Sequence, residues 1–178
     1  MFFATNTLSQ EKQKELISTY DPKKYCFMEN FKTNLLSRNQ KLKKVVELCL
    51  NNQCKYDLVL ITRFDLIFNI EFEKSKILLN KFNLVSILEK PTFICDNFYL
   101  FPYDTLHKFH KLCTNNINRN FHYIQDEFHN LRGKNFINYI YNEPGKLVCQ
   151  LSFYKINRNR IVVELSLIHI SEPTRQEA

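Results

Sequence analysis

Glycine is scarce in this sequence, with two in 178 residues, and tryptophan is absent. Alanine is also rare, whereas asparagine, isoleucine and lysine abound, a bias that an AT-rich coding sequence produces by itself. That bias empties the formal charge of +7 of most of its meaning, since the lysines are scattered rather than gathered. A positive balance of this size suits a polyanion, a membrane surface or a phosphate-bearing ligand and does not choose among them. No stretch approaches the ~20 apolar residues of a membrane span, and the opening MFFATN turns polar too soon for a signal peptide. There is no internal repeat and no low-complexity linker, which excludes a solenoid or a string of modules. The six cysteines form no CxxC pair, and several sit in apolar runs. They read as reduced core thiols rather than a disulfide or metal framework, and a reducing, cytoplasmic compartment is the expected home.

What the sequence does have is apolar material for one core, 44% of its residues, arranged in alternating strand and helix patterns. Phe2 to Thr5 reads as a short buried strand, and Thr7 with Gln10 makes a capping box for a helix through Tyr20 that Asp21-Pro22 ends. A strand at Tyr25 to Met28 follows. Leu35, Leu42, Val46 and Cys49 then recur at helical spacing and predict a long amphipathic helix over Asn34 to Leu50. Leu58 to Ile61 is an unbroken β-favouring run, as expected of a strand covered on both faces. Further on, helices are predicted at Lys76 to Phe82, after Asp104, through Phe121, Ile124, Phe128 and Leu131, and at Phe136 to Tyr141. Strands are predicted at Leu84 to Leu88, Phe93 to Phe101, Leu147 to Tyr154 and Ile161 to Leu165. The expected fold class is α/β, with a mainly parallel central sheet flanked by helices.

In an open α/β sheet, ligands gather beyond the carboxyl ends of the strands, and Thr62-Arg63-Phe64-Asp65 follows the clearest strand directly. Arg63 and Asp65 suit either an ordinary strand-end ion pair or a site in which an acid meets a cation or a phosphate. Asp96 stands inside an apolar run, where a carboxylate is costly unless it is paired or bound. It reads equally as a buried acid hydrogen-bonded to backbone and as a catalytic group. Asp126 and Glu127 are weaker carboxylate candidates on a helix face. His122, Asp126 and His129 share one helical face at i, i+4 and i+7. His107 with His110 makes a similar, cheap pattern. Lys155, Arg158 and Arg160 form a basic run after Phe153-Tyr154.

The segment Tyr56 to Leu66 (YDLVLITRFDL) resembles the YDxVIRTRxDL stretch of a group of GT-A-like glycosyltransferases. The resemblance continues through Asp96-Asn97-Phe98 and Phe153-Tyr154-Lys155. It implies a partial GT-A domain over residues 1–165 that transfers a sugar from a nucleotide-diphosphate donor to a glycan, lipid or protein acceptor. Where that family carries Asp-x-Asp, this chain has Arg63 and Asp65. The resemblance then implies Asp65 and His122 as ligands of Mn²⁺ or Mg²⁺. It gives Arg63, Lys155 and Arg158 the donor diphosphate, and Asp96, with Asp126 behind it, the catalytic carboxylate. Asp65 and Asp96 are expected in one cleft. By the same comparison Met1 starts at the second strand of the sheet. The strand that holds the nucleotide base would then be missing, and donor binding by the chain as it stands is expected to be weak or absent. Residues 166–178 (SLIHISEPTRQEA) break from the preceding composition and resemble translated adapter sequence; they are expected to be an artefactual or disordered tail packing against nothing. Two other classes compete: an inactive or partner-binding α/β fragment, and a basic nucleic-acid-binding module, against which the aromatics fall in apolar runs rather than between basic residues.

Overall fold

A computed structural model describes residues 1–29, 31–52, 54–63, 65–86, 94–141, 153–156 and 166–169. The chain is α/β, with strands and helices alternating over its first half. It opens with β1 (Phe2–Asn6), α1 (Gln10–Tyr20), β2 (Lys24–Met28), α2 (Asn34–Leu50), β3 (Leu58–Thr62), β4 (Leu66–Phe68) and β5 (Phe82–Ser86). It continues with β6 (Phe98–Pro102), α3 (Leu106–Asn115), α4 (Gln125–His129), β7 (Ile137–Tyr141), β8 (Tyr154–Ile156) and β9 (Ser166–His169). Seven strands form one sheet in the order β2-β1-β9-β3-β6-β5-β7, and β4 with β8 makes a separate two-stranded sheet.

The sheet is mixed, which corrects the expectation of a mainly parallel one. Only β1 with β2 and β5 with β7 are parallel neighbours, whereas β9 runs against both β1 and β3, and β6 runs against both β3 and β5. Five strands therefore share one direction, and β6 and β9 oppose it. The connection between β5 and β6 is eleven residues long. A parallel return to a neighbouring strand takes a crossover of roughly a dozen residues or more, usually helical, so a connection this short favours the antiparallel partner. The position of β9 is a second departure. Ser166 to His169, expected as part of an unpacked tail, pair with Phe2 to Ala4 on one side and with Leu60 to Thr62 on the other.

Both faces of β3 are covered, as its unbroken apolar run implies. Val59 and Ile61 join a core with Leu42, Val45, Val46 and Cys49 of α2 and with Leu106, Phe109 and Cys113 of α3. Leu58 and Leu60 face a second cluster built around Val85, Phe98, Leu100 and Phe153. Helix α2 starts at Thr33, whose side chain accepts from the Leu36 amide, and it packs along β1, β2 and β9 and against α3. At α1 the cap is Ser9 rather than Thr7. Thr7 donates its hydroxyl to the Met28 carbonyl and ties the ends of β1 and β2 together.

Three predicted helices differ from the structure. Lys76 to Lys81 is turn and bend leading into β5. Phe136 to Tyr141 ends a short 3-10 turn and becomes β7. The helix through Phe121 to Leu131 is a 3-10 turn at Phe121–Tyr123 followed by the five-residue α4, although Phe121, Ile124, Phe128 and Leu131 are all buried as their spacing required. Most of the strand predicted at Leu147 to Tyr154, and all of that at Ile161 to Leu165, lies outside the described residues.

Candidate functional site

The sheet's carboxyl rim gathers the chemistry. Arg63 follows the last residue of β3, and β3 pairs with β6 so that Thr62 lies opposite Phe98. Because β6 runs backwards, the residues before it, Asp96 and Asn97, arrive at the rim where β3 ends. Asp96 is therefore not inside a strand, as the apolar run suggested, but at the mouth of one. The Thr62 hydroxyl reaches the Asn97 carbonyl at 3.5 Å, and the Cys95 amide donates to Ser86 at the end of β5.

Helix α2 supplies the other wall. Arg38, Lys41 and Leu42 line a narrow cleft together with Ile61, Thr62, Arg63, Asp96, Asn97, Tyr99 and Phe121. Its free space is about 30 Å³, room for a water molecule or two beneath a more open mouth. The Asp96 side chain is 1% exposed, with Arg38 Nη1 2.6 Å from Oδ2 and His122 Nε2 3.1 Å from Oδ1. These are ionic contacts set off the hydrogen-bond directions, so neither oxygen receives a directed hydrogen bond from the described residues. His122 Nδ1 lies 2.6 Å from the Ile94 carbonyl. A carbonyl only accepts, so Nδ1 is the donor in that contact.

A supporting layer fixes these groups. Asn39 donates to the Ile117 and Arg119 carbonyls at 2.8 Å each and so holds the segment that leads to Asn120. Asn120 Oδ1 in turn accepts from Arg38 Nη2 and from the His122 amide. On the other side, the Tyr154 hydroxyl meets Cys95 Sγ and Asn97 Nδ2 at 3.1 Å each. Burial pushes the Cys95 thiol up to about 11 and raises the Tyr154 phenol. Both stay protonated at neutral pH, serving as position-holders for the Asp96–Asn97 turn. Tyr99 is raised well above the ordinary phenol range, first by burial and then by the Asp96 carboxylate. Its hydroxyl is buried without a hydrogen-bond partner among the described residues.

Arg63 and Asp65 form a two-pronged pair, Nε to Oδ1 at 2.8 Å and Nη2 to Oδ2 at 2.6 Å, with Asp65 buried. The guanidinium stands in the cleft wall, and Asp65 backs it without lining the cleft. The expectation that Asp65 and Asp96 share one cleft is thus replaced by Arg63 and Asp96 sharing it. The donor set does not fit a divalent cation as it stands. Mg²⁺ and Mn²⁺ want several oxygen ligands, yet both Asp65 oxygens are held by Arg63, and those of Asp96 face Arg38 and His122. His122 points at Asp96, with its other nitrogen spent on Ile94. Among the described residues no three His, Cys, Asp or Glu side chains converge as metal ligands.

The remaining candidates are not brought here. Asp126 is 89% exposed and lies 3.8 Å from His129, because the break at Ile124 turns α4 away from His122. Glu127 pairs with Arg119, and His110 with Glu47. His107 is exposed. Lys155 belongs to β8, paired with Ile67 of β4, and Arg158 and Arg160 lie outside the described residues. Arg38, Lys41 and Tyr99 were not anticipated. A signal for the first two existed: they sit four residues before Leu42 and Val45, where basic residues continue the apolar stripe of α2. No family model, curated protein or solved structure matches the chain.

Proposed function

We propose that the chain is the catalytic core of a nucleotide-sugar glycosyltransferase of the GT-A type. One observation carries this reading: the three segments of the resemblance, far apart in sequence, meet at one rim. Thr62 of the first touches Asn97 of the second, Asn97 touches Tyr154 of the third, and the Phe98 and Phe153 rings pack edge to face at 5.1 Å. A general α/β fragment has no reason to bring those three together around a buried carboxylate.

The geometry supports the following roles. Arg63, held by Asp65, presents a fixed cation where the donor's diphosphate accumulates charge. Asp96 is the carboxylate nearest to it in the cleft and takes the acceptor's hydroxyl proton in an inverting transfer. The acceptor oxygen then forms its bond to the anomeric carbon as the bond to the diphosphate breaks, and the nucleoside diphosphate leaves with the electron pair. Arg38 and His122 aim the Asp96 carboxylate.

The test is release of nucleoside diphosphate from a panel of nucleotide sugars by the purified chain, with and without added Mn²⁺. Turnover of one donor class above the others is expected. Absence of release from every donor, with saturable binding of single-stranded oligonucleotides instead, would replace this reading by the nucleic-acid one.

A further inference from the structure

We infer that this cleft grips its anionic ligand, a diphosphate, directly through Arg38, Arg63 and Tyr99, with side-chain cations standing where the resemblance calls for a divalent metal. The inference rests on the glycosyltransferase reading for the identity of the ligand and on the cleft alone for the manner of binding. Arg38 and Arg63 are 25% and 24% exposed, so both guanidinium groups reach solvent at the mouth, while Lys41 and Asp96 are buried beneath them. Among the described residues, Arg38 and Arg63 each stand against one carboxylate, Asp96 and Asp65. A site built for a dication presents oxygen anions in excess of cations, and these two pairs do not.

Tyr99 is the independent observation. It is 2% exposed, lines the cleft, and carries a hydroxyl with no hydrogen-bond partner among the described residues. A buried O–H without a partner is costly, and an oxyanion in the cleft mouth relieves that cost by accepting from it. Metal-ligand chemistry has no use for a protonated phenol. A phosphate oxygen has, and two guanidinium groups beside it add planar, charge-assisted donors.

Calorimetric titration of the full chain with inorganic pyrophosphate and with nucleoside diphosphates, in EDTA and in Mn²⁺, tests this. Binding in EDTA within a few-fold of that in Mn²⁺ is expected, and Arg38→Gln, read beside its Tm because it leaves buried Asp96 facing His122 alone, should weaken it about tenfold or more, as loss of one charged contact implies. Arg38→Lys, which keeps the charge, should restore part of that loss. Because Arg63→Gln alone strands the buried Asp65, the paired variant Arg63→Gln with Asp65→Asn is the informative one, with a similar weakening expected. Tyr99→Phe should weaken pyrophosphate several-fold without lowering Tm, since it removes a hydroxyl that no described residue satisfies. Binding seen only with Mn²⁺, or binding indifferent to both arginine variants, overturns the inference and leaves the glycosyltransferase reading standing. Pyrophosphate binding with no gain from any nucleoside keeps the inference and overturns that reading. No binding of any probe overturns both.

Discussion

Asp96→Asn separates a catalytic carboxylate from a structural one, because the geometry sets the two effects on different scales. The substitution keeps the shape of the side chain and removes the charge that faces Arg38 at 2.6 Å and His122 at 3.1 Å. Breaking a fully buried ion pair costs ~3–5 kcal/mol, mostly from the partner left charged and unsolvated. Here the partners keep access to water, their side chains being 25% and 30% exposed. The cost should then fall toward ~1–3 kcal/mol, the range for a buried group that loses its partner, or roughly 2–12 °C in Tm for a chain of this length. From a typical stability of ~5–15 kcal/mol, a variant that retains even ~3 kcal/mol is less than about 1% unfolded. Instability alone therefore cannot remove more than a few per cent of the activity at 25 °C. Loss of a general base removes about 10²–10⁴ in turnover and acts in the transition state, so kcat should fall while donor KM stays near its original value. Thermal unfolding followed by circular dichroism, alongside nucleoside diphosphate release, reads both. Turnover within tenfold of the original with Tm lowered as described would refute the catalytic role. A Tm drop well beyond ~12 °C would show that the pair is a structural keystone after all.

Two further outcomes follow from the fold. Deleting Ser166 to Ala178 should lower Tm by about 5–15 °C, because β9 pairs with β1 and β3 on either side and its loss opens two strand edges in mid-sheet; an unchanged Tm would remove β9 from the sheet. In thiol labelling at pH 8, exposed Cys54 should react first. Cys95 and Cys49, pushed by burial to about 11 and about 12, and Cys113, raised by burial beyond them, should react only on unfolding, since the thiolate is the attacking form. Labelling of any of these three in the native state within about tenfold of the Cys54 rate would contradict their burial.

Helix α2 was legible to the residue, because seventeen positions carry four or five turns of one apolar stripe and a Thr33 cap, and a long period outvotes local noise. β7 was not. Phe136 to Tyr141 offers six residues in which strand and helix spacing fit equally well, and only the β-favouring Ile137, Tyr139, Ile140 and Tyr141 argue for a strand. The break at Ile124 was also hidden, since the four buried residues around it keep helical spacing across a 3-10 turn that lets His122 and α4 face different ways. A pattern of buried positions reports which side chains go inside, not whether the backbone between them stays in one helix.

The candidate site shows the same limit at a larger scale. Arg63 and Asp65 were found because they follow a strand whose composition is unmistakable, and their place at the carboxyl rim depends on that strand alone. Asp96 was found for the cost of its charge, but its location depends on the direction of β6, and side-chain pattern carries no sign of strand direction. Had β6 run parallel to β3, the residues before it would have emerged at the opposite rim, a strand's length from Arg63. The antiparallel pairing of Thr62 with Phe98 brings Asp96 into the cleft, and once there it needs partners from α2 and from the 3-10 turn at Phe121–Tyr123. Those are Arg38 and His122, and Arg38 reads in sequence as one more basic residue of an amphipathic helix. A site assembled from the end of one strand, the start of an opposed strand and the inner face of a helix is therefore visible residue by residue only where each residue violates its own local rule. Asp96 does so in an apolar run and Lys41 on an apolar stripe. Tyr99, whose ring obeys the rule while its hydroxyl breaks it, gives no sequence signal at all.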